Sequence, residues 1–247
     1  MRLAVTQPAY LPWLGYFDLL DRADHWVSFD TPDLSSGGFT RRNRIRLRDG
    51  RRRWLTVPIE GRSRSTPIHR AHLANGPWWE SHVNVIAANY SRAPHWEELG
   101  TWLRDLLRPR SDETVLSRFN ERVVIELAAY LGIAVELHRA SDLRENADAA
   151  ASAQEKILSL CRSFPEAEEY LNAAGGVAAG LYDPRAFSAA GLALTVQEYD
   201  HPVYPQGEGP FTPYLSVVDC ILWNGTDTLG ILRSGSGWRT LGRPPER

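Results

Sequence analysis

The first thirty residues have a strand, loop, helix and strand pattern, which constrains the fold more than any other segment. Residues 2–6 (RLAVT) predict a strand, residues 13–23 (WLGYFDLLDRA) have helical spacing, and residues 25–30 (HWVSFD) predict a second strand. This order is typical of a parallel α/β sheet, whose ligands bind at the carboxyl ends of the strands. Gln7 comes directly after the first predicted strand and Asp30 ends the second, so both are expected at the carboxyl ends of the strands.

The remaining residues continue the alternation and predict one α/β domain with a mainly parallel central sheet flanked by helices. Residues 31–60 are polar and contain glycine, which predicts an inserted β-hairpin or long loop. Apolar spacing predicts three helices within 77–90, 94–108 and 113–131, the last ended by Gly132. Strands are expected at 133–141 and 192–200, and a helix at 212–225 is expected to begin at Thr212 and Pro213. Ser152 and Glu155 fit a capping box at the start of one more helix.

Domain boundaries and composition set further limits. The expected domain covers residues 1–233, followed by a flexible tail at 234–247. A formal net charge of −2 gives no basis for nucleic-acid binding, so the expected partner is a small molecule or a protein. Cys161 and Cys220 lack a disulfide or metal spacing, which favours the cytoplasm. No apolar run reaches the roughly 20 residues of a membrane span, and no signal peptide is recognisable.

The loop after the first strand is the first candidate binding segment. Its prolines fix the backbone, so that Gln7 can offer a donor and an acceptor while Tyr10 and Trp13 supply aromatic surface. The alternative is a stiff turn whose aromatic rings pack on the sheet. Neither a Walker motif nor a GxGxxG pattern is present.

Charged residues and histidines give the next candidates. Arg42, Asn43 and Arg44 could bind a phosphate or carboxylate, or could form a solvated hairpin face. His82 lies at the edge of a buried helical stripe, where it is either a general base or a core histidine bonded to the backbone. His138 lacks acidic or histidine companions at ligand spacing, and we expect neither a metal nor a cofactor.

A second proline-containing loop, within residues 200–225, repeats the character of the first. It displays Tyr204 and Gln206 before a helix, which predicts that Gln7 and Gln206 face one cavity. Ser216 and Asp219 share a face of that helix and, with His82 or His201, could imitate a hydrolase triad. No GxSxG elbow surrounds Ser216, so this reading is disfavoured.

Several of these segments together resemble the WbqC-like protein family. They span nearly the whole chain: QPAYLPWLGYFDLL, Asp30 followed by RNRI, WLTVPI, the helix through His82 and Tyr90, EKIL, YL at 170–171, and HPVYPQ with the following F, P, LS and D. The positions that match the family pattern are Gln7, Pro8, Tyr10, Pro12, Gly15, Asp30, Arg42, Asn43, Arg44, His82, Tyr90, Lys156, Tyr204, Gln206, Ser216 and Asp219. Asn172 and Ala173 depart from the serine and glycine that more often follow YL.

The resemblance implies a biosynthetic transfer step on an amino sugar or another amine, with O-antigen and other surface polysaccharides or specialised metabolites as the setting. The leading hypothesis is transfer of an acyl or aminoacyl group from an activated donor, for example a loaded acyl or peptidyl carrier protein. His82 or Asp30 would take the amine proton, and Gln7 with Tyr10 would orient the carbonyl. The expected substrate-binding residues are Tyr10, Trp13, Arg42, Asn43, Arg44, Tyr90, Lys156, Tyr204, Gln206, Ser216 and Asp219.

Two other functions stay open at this point. One is nucleotidyl transfer, because the opening resembles parallel-sheet enzymes that bind ATP or CTP, although Gln7 and Tyr16 stand where those enzymes have histidines. The other is a non-catalytic module that binds a small molecule or a carrier protein. It predicts that His82, Asp30 and Lys156 do not converge on one pocket.

Overall fold

The computed structural model describes residues 1–61, 65–143 and 151–242, and within them the chain forms eight strands. In chain order these are β1 (Arg2–Thr6), β2 (His25–Ser28), β3 (Arg42–Arg46), β4 (Arg52–Thr56), β5 (Glu136–Arg139), β6 (Glu169–Ala173), β7 (Ala193–Gln197) and β8 (Trp238–Gly242). Six of them form one sheet in the order β5-β2-β1-β6-β7-β8, parallel except for β8. Strands β3 and β4 form a separate antiparallel hairpin, so the predicted fold class is confirmed.

The order of the sheet contains a topological switch point. From the central β1, the chain first adds β2 and β5 on one side, and then adds β6 and β7 on the other. Ligands of open α/β sheets bind in the crevice outside the carboxyl ends of the two strands where the order reverses. Here those strands are β1 and β6, which end at Thr6 and Ala173.

Helices cover both faces of the sheet, as expected for parallel strands that are buried on both sides. The described helices are α1 (Leu14–Arg22), α2 (Trp78–Tyr90), α3 (Trp96–Leu107), α4 (Leu116–Tyr130), α5 (Ala153–Arg162), α6 (Ala174–Ala178), α7 (Pro184–Ala189), α8 (Val217–Asn224) and α9 (Thr228–Ser234). The larger core joins α1 with α2, α3, α4 and α8. A smaller core on the other face joins α5 and α7 to side chains of β1, β6 and β7.

Two local predictions about helix ends are confirmed. Gly132 follows α4 with a φ of 76°, a left-handed conformation that glycine adopts without steric cost. At the start of α5, Ser152 and Glu155 form the reciprocal hydrogen bonds of a capping box.

The predicted start of the last helix was wrong. Helix α8 begins at Val217 rather than at Thr212, and the Ser216 hydroxyl accepts a hydrogen bond from the Val218 amide at its N-terminus. Tyr214 has a φ of 59°, which no right-handed helix tolerates, so the segment before Ser216 cannot be helical.

The flexible tail at 234–247 is also corrected in part. Residues 238–242 form β8, which pairs with β7, and the hydroxyls of Thr195 and Thr240 lie 2.9 Å apart. The backbone of this segment pairs with the edge of β7 that β6 leaves free, and this pairing orders the segment despite its polar, glycine-containing sequence. Residues 243–247 lie outside the described part of the chain.

Candidate functional site

The loop between β1 and α1 is held in one shape by contacts from three distant segments. The Tyr10 amide donates to the Phe39 carbonyl at 3.0 Å. The Asn43 side chain donates to the Leu11 carbonyl at 2.6 Å, and the Asn120 side chain to the Pro8 carbonyl at 2.9 Å. Leu11 has a φ of 44°, which is strained for a branched side chain and persists only where neighbouring contacts enforce it.

This loop forms one wall of a cavity of about 280 Å³ at the switch point, which we call the switch-point cavity. It lies outside the carboxyl ends of β1, β6 and β7, between the start of α1 and the entry to the hairpin. Its lining residues are Thr6, Gln7, Ala9, Pro12, Trp13, Gly15, Tyr16, Leu19, Phe39, Thr40, Asn43, Ala173 and Gln197. Gln7, Trp13 and Asn43 are three of the residues predicted from the sequence.

Amides and hydroxyls supply the polar groups of the switch-point cavity. The Thr40 hydroxyl donates to Gln7 Oε1 at 3.0 Å. Gln197 Nε2 donates to the Gly15 carbonyl at 2.7 Å and to Asp18 at 2.6 Å, which ties the end of β7 to α1. Of the residues that the structure describes, no charged one lines this cavity. Its chemistry therefore suits uncharged groups that donate and accept hydrogen bonds beside aromatic surface.

The indole of Trp13 is fixed in the wall of the switch-point cavity. It stacks on His201 at an interplanar angle of 11° and meets Tyr199 edge to face. A side chain at Gly15 would collide with the indole ring, so only glycine leaves room for it. This contact explains why a glycine occupies the first turn of α1.

His82 lies away from this cavity, in a buried network. Its Nδ1 lies 2.8 Å from the Tyr10 hydroxyl, and it also bonds to the backbone of Thr56. Burial lowers the pKa of His82 to about 4, so the ring is neutral near pH 7. The geometry matches the core histidine rather than the general base, and it places the Tyr10 hydroxyl in the protein interior.

Asp30 is fully buried and fastens the end of β2 to the segment after β5. Its two carboxylate oxygens accept from the Ser141 amide at 2.9 Å and from the Ser141 hydroxyl at 2.7 Å. Its carbonyl accepts from the His69 amide. Lys156 lies on α5, among the residues that cover the other face of the sheet. None of the four described cavities has His82, Asp30 or Lys156 in its lining.

Four other predicted residues form a single buried network around Asp219. Asp219 Oδ1 accepts from the Tyr204 hydroxyl at 2.9 Å and from Gln206 Nε2 at 2.7 Å, and Oδ2 accepts from the Tyr90 hydroxyl at 2.7 Å. Burial raises the pKa of the Asp219 carboxyl above its ordinary value. These bonds join α2, α8 and the loop before α8.

The Asp219 network borders a second cavity, of about 390 Å³, which we call the hairpin cavity because Arg46, at the end of β3, and the turn residues Leu47 and Arg48 line it. Gln206 lines the hairpin cavity, whereas Gln7 lines the switch-point cavity. The prediction that the two glutamines share one cavity is therefore wrong. The Gln206 amide turns toward Asp219 because that buried carboxylate needs donors.

The remaining predicted residues have local partners. Arg42 and Arg44 both lie over the Trp54 ring, at 4.3 and 5.2 Å, on the hairpin face. The Arg42 guanidinium donates to the Gly37 carbonyl and that of Arg44 to the Tyr214 carbonyl. Ser216 caps α8, and the two histidines considered for a triad bond elsewhere, so Ser216 and Asp219 do not form one.

Sequence reasoning missed a buried charge cluster at the ends of β2 and β5. Glu121 on α4 accepts from the Ser28 hydroxyl and from Arg139 Nε, each at 2.6 Å. Burial raises the pKa of Glu121 to about 7. The sequence contains one indication of buried polar groups next to Glu121. Asn120 lies four residues after Leu116 on the apolar stripe of α4, and a polar residue on such a stripe indicates buried hydrogen bonding.

Fold and cavity together define a doubly wound α/β protein with a ligand-sized cavity at its switch point. The chain belongs to the WbqC-like protein family, whose sequence profile matches residues 7–231. It is 30% identical over 234 residues to Rv1507c of Mycobacterium tuberculosis, described as an uncharacterized protein, and the match covers 94% of this chain and 97% of that one. No solved structure matches the chain. Within the described ranges, none of the helices has the length and apolar character needed to cross a membrane.

Proposed function

We propose that the switch-point cavity is the ligand site of this protein and holds the uncharged part of a small organic molecule during a biosynthetic group transfer. The position of the cavity carries the proposal, because the crevice at a switch point is where open α/β sheets bind ligands. Gln7 and Asn43 would hydrogen-bond the ligand, and Trp13 would cover its apolar surface.

The transfer we propose moves an acyl or aminoacyl group from an activated donor to an amine. The amine nitrogen attacks the donor carbonyl carbon, a new C–N bond forms, and the bond from that carbon to the leaving group breaks. The proton lost by the amine neutralises the departing group. Gln7 is the side chain proposed to orient the carbonyl, since it lines the cavity and carries an amide that can donate hydrogen bonds. The family resemblance supports this reaction class through its association with amino-sugar and specialised-metabolite biosynthesis.

A direct test combines the protein with carrier proteins loaded with different acyl or aminoacyl groups and with amino-sugar nucleotide acceptors. Mass spectrometry should detect an acceptor that has gained the mass of the acyl group. Gln7→Ala should reduce the rate at least about tenfold, the size expected when a positioning contact is lost. Gln154→Ala is the matched control, because Gln154 lies on α5 and bonds to the Asp183 amide outside the cavity. Equal rates in the wild type and Gln7→Ala would contradict this role.

A non-catalytic binding module is the second candidate, and a specific observation favours it. The groups that could take a proton, His82 and Asp30, are engaged in internal hydrogen bonds. This function predicts that the same acceptor or loaded carrier binds in calorimetry, and that Gln7→Ala weakens the binding, without any product. Product formation would exclude it.

A further inference from the structure

The pairing of β2 with β5 brings together three side chains that can bind a metal, at the end of the sheet opposite the switch-point cavity. His25 pairs with Glu136, and these are the first residues of two neighbouring strands. His138 pairs with Val27 and lies two positions after Glu136 on the same face of β5. His25 Nδ1 lies 2.9 Å from His138 Nε2. The Glu136 carboxylate oxygens lie 3.6 Å from His25 Nδ1 and 3.3 Å from His138 Nε2.

These separations match the ligand shell of a tetrahedral metal ion. Zn²⁺ binds histidine nitrogen and carboxylate oxygen at about 2.0–2.2 Å, and tetrahedral angles then place neighbouring ligand atoms ~3.3–3.5 Å apart. The three distances in the structure lie around this value. Small rotations of side chains would complete the arrangement, and no backbone movement is needed.

The surroundings hold the two rings and leave the carboxylate free to adjust. Phe164 packs against both imidazoles, with ring centroids 6.0 Å from His25 and 4.9 Å from His138. The histidine side chains are 22% and 24% exposed, whereas that of Glu136 is 66% exposed.

We propose that His25, Glu136 and His138 bind a divalent transition-metal ion, with Zn²⁺ as the best fit. Imidazole suits zinc and its neighbours better than it suits Mg²⁺ or Ca²⁺, which prefer sets of oxygen ligands. Three protein ligands leave a fourth position open to solvent. The ion would join the edge strand β5 to β2, so its binding should stabilise the sheet.

His25 is more than a hundred positions from Glu136 and His138, so only the pairing of β2 with β5 makes the three residues neighbours. The competing explanation is a plain hydrogen bond between the two rings, which 2.9 Å also allows. That arrangement would satisfy both nitrogens without a metal and would show no preference for zinc.

Calorimetric titration of the full chain with zinc chloride, after removal of metals with a chelator, tests the site. We expect one Zn²⁺ per chain and a higher melting temperature with zinc. His25→Ala and His138→Ala should each weaken binding at least about tenfold and abolish the thermal shift. His72→Ala is the matched control, since His72 is exposed and lies outside the group, and it should behave as the wild type.

Glu136→Gln keeps the test decisive if a histidine variant fails to fold, because the Glu136 carboxylate is exposed and its loss leaves the core intact. This variant should bind zinc more weakly with an unchanged melting temperature in the absence of metal. Cobalt(II) in place of zinc should give the strong visible absorption of a tetrahedral site in the wild type. Absence of zinc binding by the wild type, or equal zinc affinity in the wild type and all three variants, would overturn the proposal.

Discussion

At the scale of single residues, the structure separates polar side chains that line a cavity from those that satisfy one another. Gln7 and Asn43 line the switch-point cavity, whereas His82 lies in a buried hydrogen-bond network and Asp219 lies in another network, at the hairpin cavity. Buried polar groups need partners, so a matched motif position can serve the fold as well as a ligand. Two substitutions test the assignments to buried networks.

The first concerns the pH dependence of stability through His82. An unfolded histidine has a pKa of about 6.5, whereas the folded value is about 4, so the unfolded chain binds the extra proton between these limits. The contribution of the neutral, buried His82 ring to the free energy of unfolding is therefore fully present above pH 6.5 and is lost as the pH falls toward 4. Urea unfolding at pH 7 and at pH 4.5 measures how far the free energy of unfolding falls between the two pH values. This fall should be smaller in His82→Gln than in the wild type by about 2–3 kcal/mol.

The exposed residue His72 provides the control for this measurement. His72→Gln should show the same fall between the two pH values as the wild type. If His82→Gln also follows the wild type, the buried neutral histidine is not a source of acid sensitivity.

The second substitution removes the acceptor at the centre of the Asp219 network. Asp219→Ala leaves two tyrosine hydroxyls and the Gln206 amide without their buried acceptor. The free energy of unfolding, measured with urea at pH 7, should fall by about 2–4 kcal/mol. Asp227→Ala, at an exposed position just after α8, should change it by less than about 0.5 kcal/mol. Similar losses in both variants would argue against the network.

At the scale of elements, the approach of β8 to β7 depends on close backbone contact. The Asp200 amide, just after β7, donates to the Gly235 carbonyl at 2.9 Å, and the Glu198 amide donates to the Gly237 carbonyl. A side chain at Gly235 would meet the Asp200 carbonyl oxygen, which belongs to the backbone and cannot turn aside. The glycines that led to the prediction of a flexible tail are therefore what allows β8 to pair with β7.

Paired glycine substitutions test this element. Gly235→Ala should lower the free energy of unfolding by about 1–3 kcal/mol, because the new methyl group forces the segment before β8 away from β7. In Gly230→Ala the methyl group meets nothing within 4 Å and lies inside α9, so stability should stay equal or rise by up to about 1 kcal/mol. Thermal and urea unfolding give both values. If Gly235→Ala has the same free energy of unfolding as the wild type, β8 does not pack against β7 as described.

At the scale of the whole molecule, the hairpin joins the rest of the chain through Ile45 and Leu55 in the larger core and through a few buried polar contacts. The Arg46 guanidinium donates to the Gln206 carbonyl at 2.8 Å and to the Glu208 carbonyl at 2.6 Å. The Arg46 amide donates to the Tyr90 hydroxyl, which in turn donates to Asp219. One residue of β3 thus connects the hairpin with α2, α8 and the loop before α8.

Loss of that connection should release the hairpin before the sheet. In Arg46→Ala, we expect amide hydrogens of residues 42–56 to exchange faster while those of β1 and β6 keep their protection. Arg48→Ala is the matched control, because Arg48 is exposed and donates to Ser91 at the surface. Uniformly faster exchange in Arg46→Ala would show instead that the whole molecule unfolds as one unit.

The sequence by itself determined many of the elements and their order, although β6, α6, α7 and α9 were not predicted. Apolar spacing predicted β1, β2 and the three long helices, and cap residues predicted the ends of α4 and α5, because these features depend on neighbours within a few residues. The start of α8 and the pairing of β8 escaped prediction, since a left-handed Tyr214 and a contact with β7 leave no local pattern.

Only the tertiary structure decided which polar side chains meet. It separated Gln7 from Gln206, enclosed His82 and Asp30 in the interior, and brought His25 next to His138. A side chain's distant neighbours follow from strand register and from the packing of segments far apart in the chain. Those long-range contacts, which local sequence patterns do not encode, place the candidate ligand cavity at the switch point of the sheet.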